Sequence, residues 1–160
     1  MHNISLGLTR IGIGLIFLWA FLDKVFGLGF STEAGKAWID GVSPTYGYLA
    51  FATHGPLAGI FQAMAGNSLV DILFMLGLLC VGTYLILGIK VKLASGAGIA
   101  MLLLMYLSAF PPEHHPFLDE HIIYSLILLS FIQMPTVGDC IGLGGWWSKQ
   151  AMVKKYPILK

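Results

Sequence analysis

Three side chains in this sequence suit proton transfer and belong to segments that a helical chain would bring together: Lys24, Asp119 and His121. An ammonium donates hydrogen bonds to a carbonyl or an oxyanion, and an imidazole exchanges protons near neutral pH because its pKa lies there. Asp71 and Glu120 add carboxylates able to partner the Lys24 ammonium, whereas Asp23, adjacent in sequence, points about 100° away on a helix. Trp19, Phe21 and Tyr124 offer aromatic walls. Together they describe a pocket for a polar ring such as a quinone headgroup, with Lys24, Asp119 and His121 as the proton-handling groups and Trp19, Asp23, Asp71 and Tyr124 as binding residues. The same residues also fit a structural ion-pair network at the mouth of a helix bundle, and both readings stand.

The run His114-His115-Pro116-Phe117-Leu118-Asp119-Glu120-His121 carries imidazole and carboxylate groups of the kind that zinc or copper accepts. Its spacing matches no metal motif, and an acidic loop with Asp119 starting a helix explains it, so no metal site is assigned. Cys80 and Cys140 form no CxxC or CxxxH pattern and read as free thiols. Cys80, in the middle of an apolar run, reads as a buried small hydrophobe.

The elements that must hold these groups follow from composition. Of 160 residues, 57% are apolar and 11% charged, against roughly a quarter charged in soluble domains. The apolar residues come in blocks with short polar punctuation. An all-α integral membrane four-helix bundle, forming one domain over residues 1–160, is therefore expected. A helix needs about 20 mostly apolar residues to cross about 30 Å of hydrocarbon, which places spans at about 4–30, 70–89, 93–110 and 120–138, with a tail over 139–160. The first span is the least regular, since Arg10, Asp23 and Lys24 flank its uncharged centre. It reads as a retained span with Arg10 snorkelling toward the headgroups. Lys24 lies fourteen residues further on, about 21 Å along the axis and roughly 10 Å inside the far surface of the core. Pro135 should kink or end the fourth span.

Lys90, Lys92, Lys149, Lys154, Lys155 and Lys160 then share one side of the membrane with the N-terminus, and Lys36 stands alone in the loops opposite. Short Lys-rich loops stay in the cytoplasm, so both termini are expected there, in a multi-pass plasma-membrane protein, with Trp146 and Trp147 as an interfacial anchor. The opposite face collects Glu33, Asp40, Asp71, Glu113, Asp119 and Glu120 with His54, His114, His115 and His121. A long first extracytoplasmic loop, 31–70, contains a short amphipathic helix over Leu57 to Ala65, in which Ile60, Phe61 and Met64 share a face and cover the bundle surface. Ala94 with Gly98, and Gly96 with Ala100, are small-xxx-small pairs for close packing inside the bundle or between the subunits of a homo-oligomer. Gly142-Leu143-Gly144-Gly145 is not a nucleotide fingerprint. The net charge of +1 gives no reason to expect a nucleic-acid partner.

Leu8-Thr9-Arg10-Ile11-Gly12 leading to Phe17-Leu18-Trp19 and Asp23-Lys24, then Ser43-Pro44-Thr45, Gly55-Pro56, Pro116-Phe117 before Asp119 and His121, and Gly142-Leu143 through Lys155-Tyr156-Pro157 resemble the DoxX family, and the long first loop resembles its DoxD-like branch. The similarity covers nearly the whole chain. It implies a four-helix membrane protein associated with a second redox subunit. In the DoxD case it implies the membrane subunit of a thiosulfate:quinone oxidoreductase, with quinone as electron acceptor. The alternatives are a non-catalytic membrane anchor or scaffold for a redox partner, and a small-solute or lipid transporter.

Overall fold

The computed structural model describes residues 4–159, so Lys160 lies outside the described residues. The chain runs through α1 (Ile4–Phe26), α2 (Ala58–Gln62), α3 (Ser68–Leu87), α4 (Val91–Ser108), α5 (Glu120–Gln133), α6 (Gly144–Trp147) and α7 (Ala151–Lys155). Among the described residues the sole extended pairing is an isolated bridge between His54 and Ala109. The fold is all-helical. α1, α3 and α4 are each long and apolar enough to cross a membrane, while α5, with 14 residues, is shorter.

Helix limits follow from local chemistry. α3 starts where the Asn67 side chain accepts from Leu69 N at 2.9 Å, and α5 where Asp119 accepts from Ile122 N at 3.1 Å. The first helix ends at Phe26 rather than near residue 30, because Gly27 turns into the left-handed region at φ 63° and the Asp23 side chain then gathers the following backbone. Helical geometry in the fourth expected span stops at Gln133 rather than 138. A 3-10 turn over Pro135–Asp139 replaces it, as a ring without an amide hydrogen dictates.

α1 packs on α3, and α4 packs between α3 and α5. Gly14 and Gly82 let α1 and α3 approach closely: a Cβ on Gly82 would meet Gly14 O at 3.0 Å and Leu18 N at 2.7 Å. Gly98 plays the same part for α4, since a Cβ there would meet Leu128 at 2.8 Å. The Ala94–Gly98 pair is therefore spent inside the bundle, while Gly96 and Ala100 face outward. Ile13, Phe17, Met75, Val81, Leu85 and Leu128 form the centre of the core. The outward faces are apolar too, with Leu15, Leu76, Leu104 and Leu126 each 50% or more exposed, as contact with lipid tails requires.

Two expectations change here. Cys80 is exposed on α3, and Cys140 is the buried thiol. The helix expected over Leu57 to Ala65 shortens to Ala58–Gln62, with Phe61 turned inward and Ile60 outward, so the two do not share a face.

Candidate functional site

Lys24 sits on the last turn of α1, where the chain leaves α1 and later enters α3. Among the described residues its ammonium makes no ion pair and no hydrogen bond. It borders a cavity of about 340 Å³, walled by Tyr48, Phe61, Phe74 and Met105 and carrying the hydroxyls of Thr45, Tyr48 and Ser108. Leu73 of α3 and Leu104 of α4 line this cavity and are also exposed on the outside of the bundle, so the cavity opens sideways between those two helices.

The polar rim is held in place. Tyr48 Oη lies 2.8 Å from Ser108 Oγ, and Ser108 Oγ donates to Met105 O at 2.7 Å. Asp71, buried at the start of α3, accepts at one oxygen from Ser43 Oγ at 2.8 Å, Thr45 N at 3.3 Å and Thr45 Oγ1 at 2.5 Å. That carboxylate ties the Ser43-Pro44-Thr45 turn to α3 and so sets the position of the Thr45 hydroxyl in the cavity wall. Asp71 therefore shapes the site without pairing with Lys24.

The other expected site residues lie elsewhere. Asp23 is buried, and its carboxylate accepts from Phe30 N at 3.2 Å, Ser31 N at 2.9 Å and Ser31 Oγ at 2.7 Å, closing the turn after α1. Trp19 meets Phe30 edge to face at 5.1 Å and shares with Asp23 a separate outer groove. Asp119 Oδ2 accepts a bond from, or pairs with, His121 Nδ1 at 2.7 Å, a contact that is ionic when the imidazole is protonated. Neither residue lines the cavity, and Tyr124 packs against the core. Asp119, Glu120 and His121 bring their ligand atoms within 4.8 Å of one another, the closest approach to a metal cluster among the described residues. In the first loop Lys36 Nζ lies 2.8 Å from Glu33, and that hydrogen bond holds the exposed Glu33 carboxyl below its ordinary pKa.

Sequence reasoning passed over Tyr48, Thr45 and Ser108. Their signal was weak, because a long loop with turn residues reads as surface covering until its π-turn, Tyr48–Ala52, is seen folded against α4.

The opposite end of the bundle corrects the expectation for Arg10. Its side chain is fully buried and does not snorkel. The guanidinium donates to the carbonyls of Leu85, Ile86 at 3.1 Å, Cys140 at 3.0 Å and Ile141 at 2.7 Å. The carbonyls at the end of α3 lack helical partners and carry the negative end of the helix dipole, so a buried cation is compensated there without a carboxylate.

The sequence matches no family model, no curated protein and no solved structure.

Proposed function

We propose that this chain is the membrane subunit of a quinone-linked oxidoreductase, with the cavity beside Lys24 seating a quinone ring. The observation that carries the reading is the Lys24 ammonium, which has no carboxylate within ion-pair distance among the described residues, bordering a mostly apolar cavity. Small-molecule sites begin at about 300 Å³, so the cavity has room for a ring headgroup and not for a long prenyl tail. The sideways opening between Leu73 and Leu104 gives that tail a path into lipid.

A quinone becomes a quinol by taking up two electrons and two protons. Negative charge builds on its oxygens during reduction, and an ammonium already in place stabilises that charge in a dry site. In this reading Lys24 donates to one quinone oxygen, while the Thr45 and Tyr48 hydroxyls, whose hydrogens serve Asp71 and the Ser108–Met105 pair, shape the cavity wall around the ring. The Asp119–His121 pair, at the same end of the bundle, exchanges protons with water. The electrons come from a reduced sulfur donor such as thiosulfate, oxidised on a second redox subunit. The resemblance to the DoxD-like branch supports this assignment. The reading includes a plasma-membrane location, and α5 with its following 3-10 turn as a fourth span and cytoplasmic termini, the last two supported by the lysine distribution.

A second reading, a non-catalytic anchor for a redox partner, is favoured by the local use of Asp23 and Asp71, whose carboxylates hold turns rather than a ligand. Purification in mild detergent separates the two. Quinone that co-purifies with the wild-type chain and is lost from Lys24→Met supports the first. A chain that retains no quinone, and adds no quinone reduction when a partner is supplied, leaves the anchor.

A further inference from the structure

The segment from Asp139 onward crosses the end of the bundle where α3 stops and α4 starts. It is pinned there: Leu143 N donates to Leu87 O at 2.8 Å, Trp147 Nε1 donates to Leu159 O at 2.6 Å, and the Lys90 ammonium stands 4.9 Å from the Tyr84 ring centre and 5.8 Å from that of Trp147. Val153 is the buried side chain of α7. Facing outward are four large apolar side chains, Trp146, Met152, Tyr156 and Ile158, each more than half exposed, and among them the exposed lysines 149, 154 and 155. The one acid of this segment is Asp139.

Lys155 stands 5.4 Å from the Tyr156 ring centre, and among the described residues none of the three lysines has a carboxylate partner. Apolar side chains and cations lacking a counter-charge suit the boundary between acyl chains and negatively charged headgroups, where the rings and Met152 enter the first and the lysines meet the second. A neutral headgroup would leave three cations without counter-charge. A soluble acidic partner would have to cover apolar surface that already adjoins the ends of three helices long enough to span a membrane. We propose that the segment 139–159 is a docking surface for anionic phospholipid, read through Lys149, Lys154 and Lys155, and that it fixes the depth of the bundle in the membrane. This is independent of any role for the cavity beside Lys24, which lies at the other end of the bundle.

The test uses the full chain in mild detergent, offered equal amounts of phosphatidylglycerol and phosphatidylcholine and examined by native mass spectrometry. Each lysine near an anionic surface contributes a factor of about five. The wild type should therefore retain phosphatidylglycerol preferentially, and the triple variant Lys149→Gln, Lys154→Gln, Lys155→Gln should lose that preference by at least about tenfold. Lys36→Gln, in the first loop, should keep it. Raising the salt concentration should weaken the preference of the unmodified chain, which tests the charge argument without any variant. Equal retention of the two lipids by the wild type, or an undiminished preference in the triple variant, overturns the proposal. Binding of an acidic protein with no lipid preference does the same.

Discussion

The Arg10 guanidinium donates at 2.7 Å to the carbonyl of Ile141, a β-branched residue whose own backbone stands at φ 54° in the left-handed region. Such a conformation is costly for isoleucine, and here it aims a carbonyl at a buried cation that also closes the end of α3. The two features explain each other.

Removing the cation should therefore cost more than a surface charge would. Arg10→Met leaves the carbonyls of Leu85, Ile86, Cys140 and Ile141 without their donor, and unpaired buried polar groups cost about 1 to 3 kcal/mol each. Some rearrangement is available, so a net loss of about 3 kcal/mol is expected. Arg10→Lys should recover only part of it, since one ammonium lacks the fork that reaches α3 and the 140–141 backbone together. Thermal unfolding in detergent reads both losses, and a melting temperature for Arg10→Met equal to wild type would remove the capping role.

Two glycines flanking the segment that this cation holds give a built-in comparison. A Cβ on Gly138 would press into the Gly88 carbonyl and also lie 3.0 Å from Val91, whereas one on Gly145 meets nothing within 4 Å. Gly138→Ala should destabilise by about 2 kcal/mol or more, and Gly145→Ala should stay within about 0.5 kcal/mol of wild type. Matching melting curves for the two variants would show that the backbone crossing near Gly88 is loose.

The contrast between these two ends of the bundle shows what the sequence made legible. Apolar blocks and proline positions placed α1, α3 and α4 to within a few residues, because segment length and hydrophobicity are local properties. The place of Lys24 near the far end of α1 from Arg10 was also readable, since rise per residue sets it. Arg10 was misread because its partners are backbone carbonyls more than seventy residues away, and carbonyls carry no residue type that a sequence can display. Gly142 and Gly144 fail a nucleotide pattern, and nothing in the sequence marked them as packing positions. Their close approach to Leu87 and Gly138 depends on packing between segments distant in the chain. The cavity walls were hidden for a similar reason: Tyr48 and Thr45 belong to a loop whose course no periodicity reveals.

Lys24 and His121 can be told apart by what each variant changes. Lys24→Met removes the one cation that lines the cavity among the described residues, and losing a hydrogen bond from a charged donor, about 1.5 to 3 kcal/mol, corresponds to roughly ten- to a hundredfold weaker quinone binding. His121→Gln keeps the size of the side chain and leaves the cavity lining untouched, so quinone retention should persist while the rate of quinone reduction falls for want of a proton-exchanging group. Titration of quinone into detergent-solubilised protein, followed by rate measurement across pH with the partner present, reads each effect. Equal loss of binding in both variants would place His121 at the quinone after all.

Asp71 acts on the cavity through the turn it holds. Asp71→Ala strips three hydrogen bonds from Ser43 and Thr45 and leaves those donors to find water, a destabilisation of about 2 to 4 kcal/mol. Asp71→Asn keeps an acceptor at the same place and should recover at least half of that loss. Because Thr45 also lines the cavity, the alanine variant should weaken quinone binding beyond what the stability loss predicts, measured well below its melting temperature where the chain is fully folded. Unchanged quinone affinity in Asp71→Ala, with the stability loss intact, would confine Asp71 to anchoring the first loop and leave Lys24 as the polar group that positions the ring.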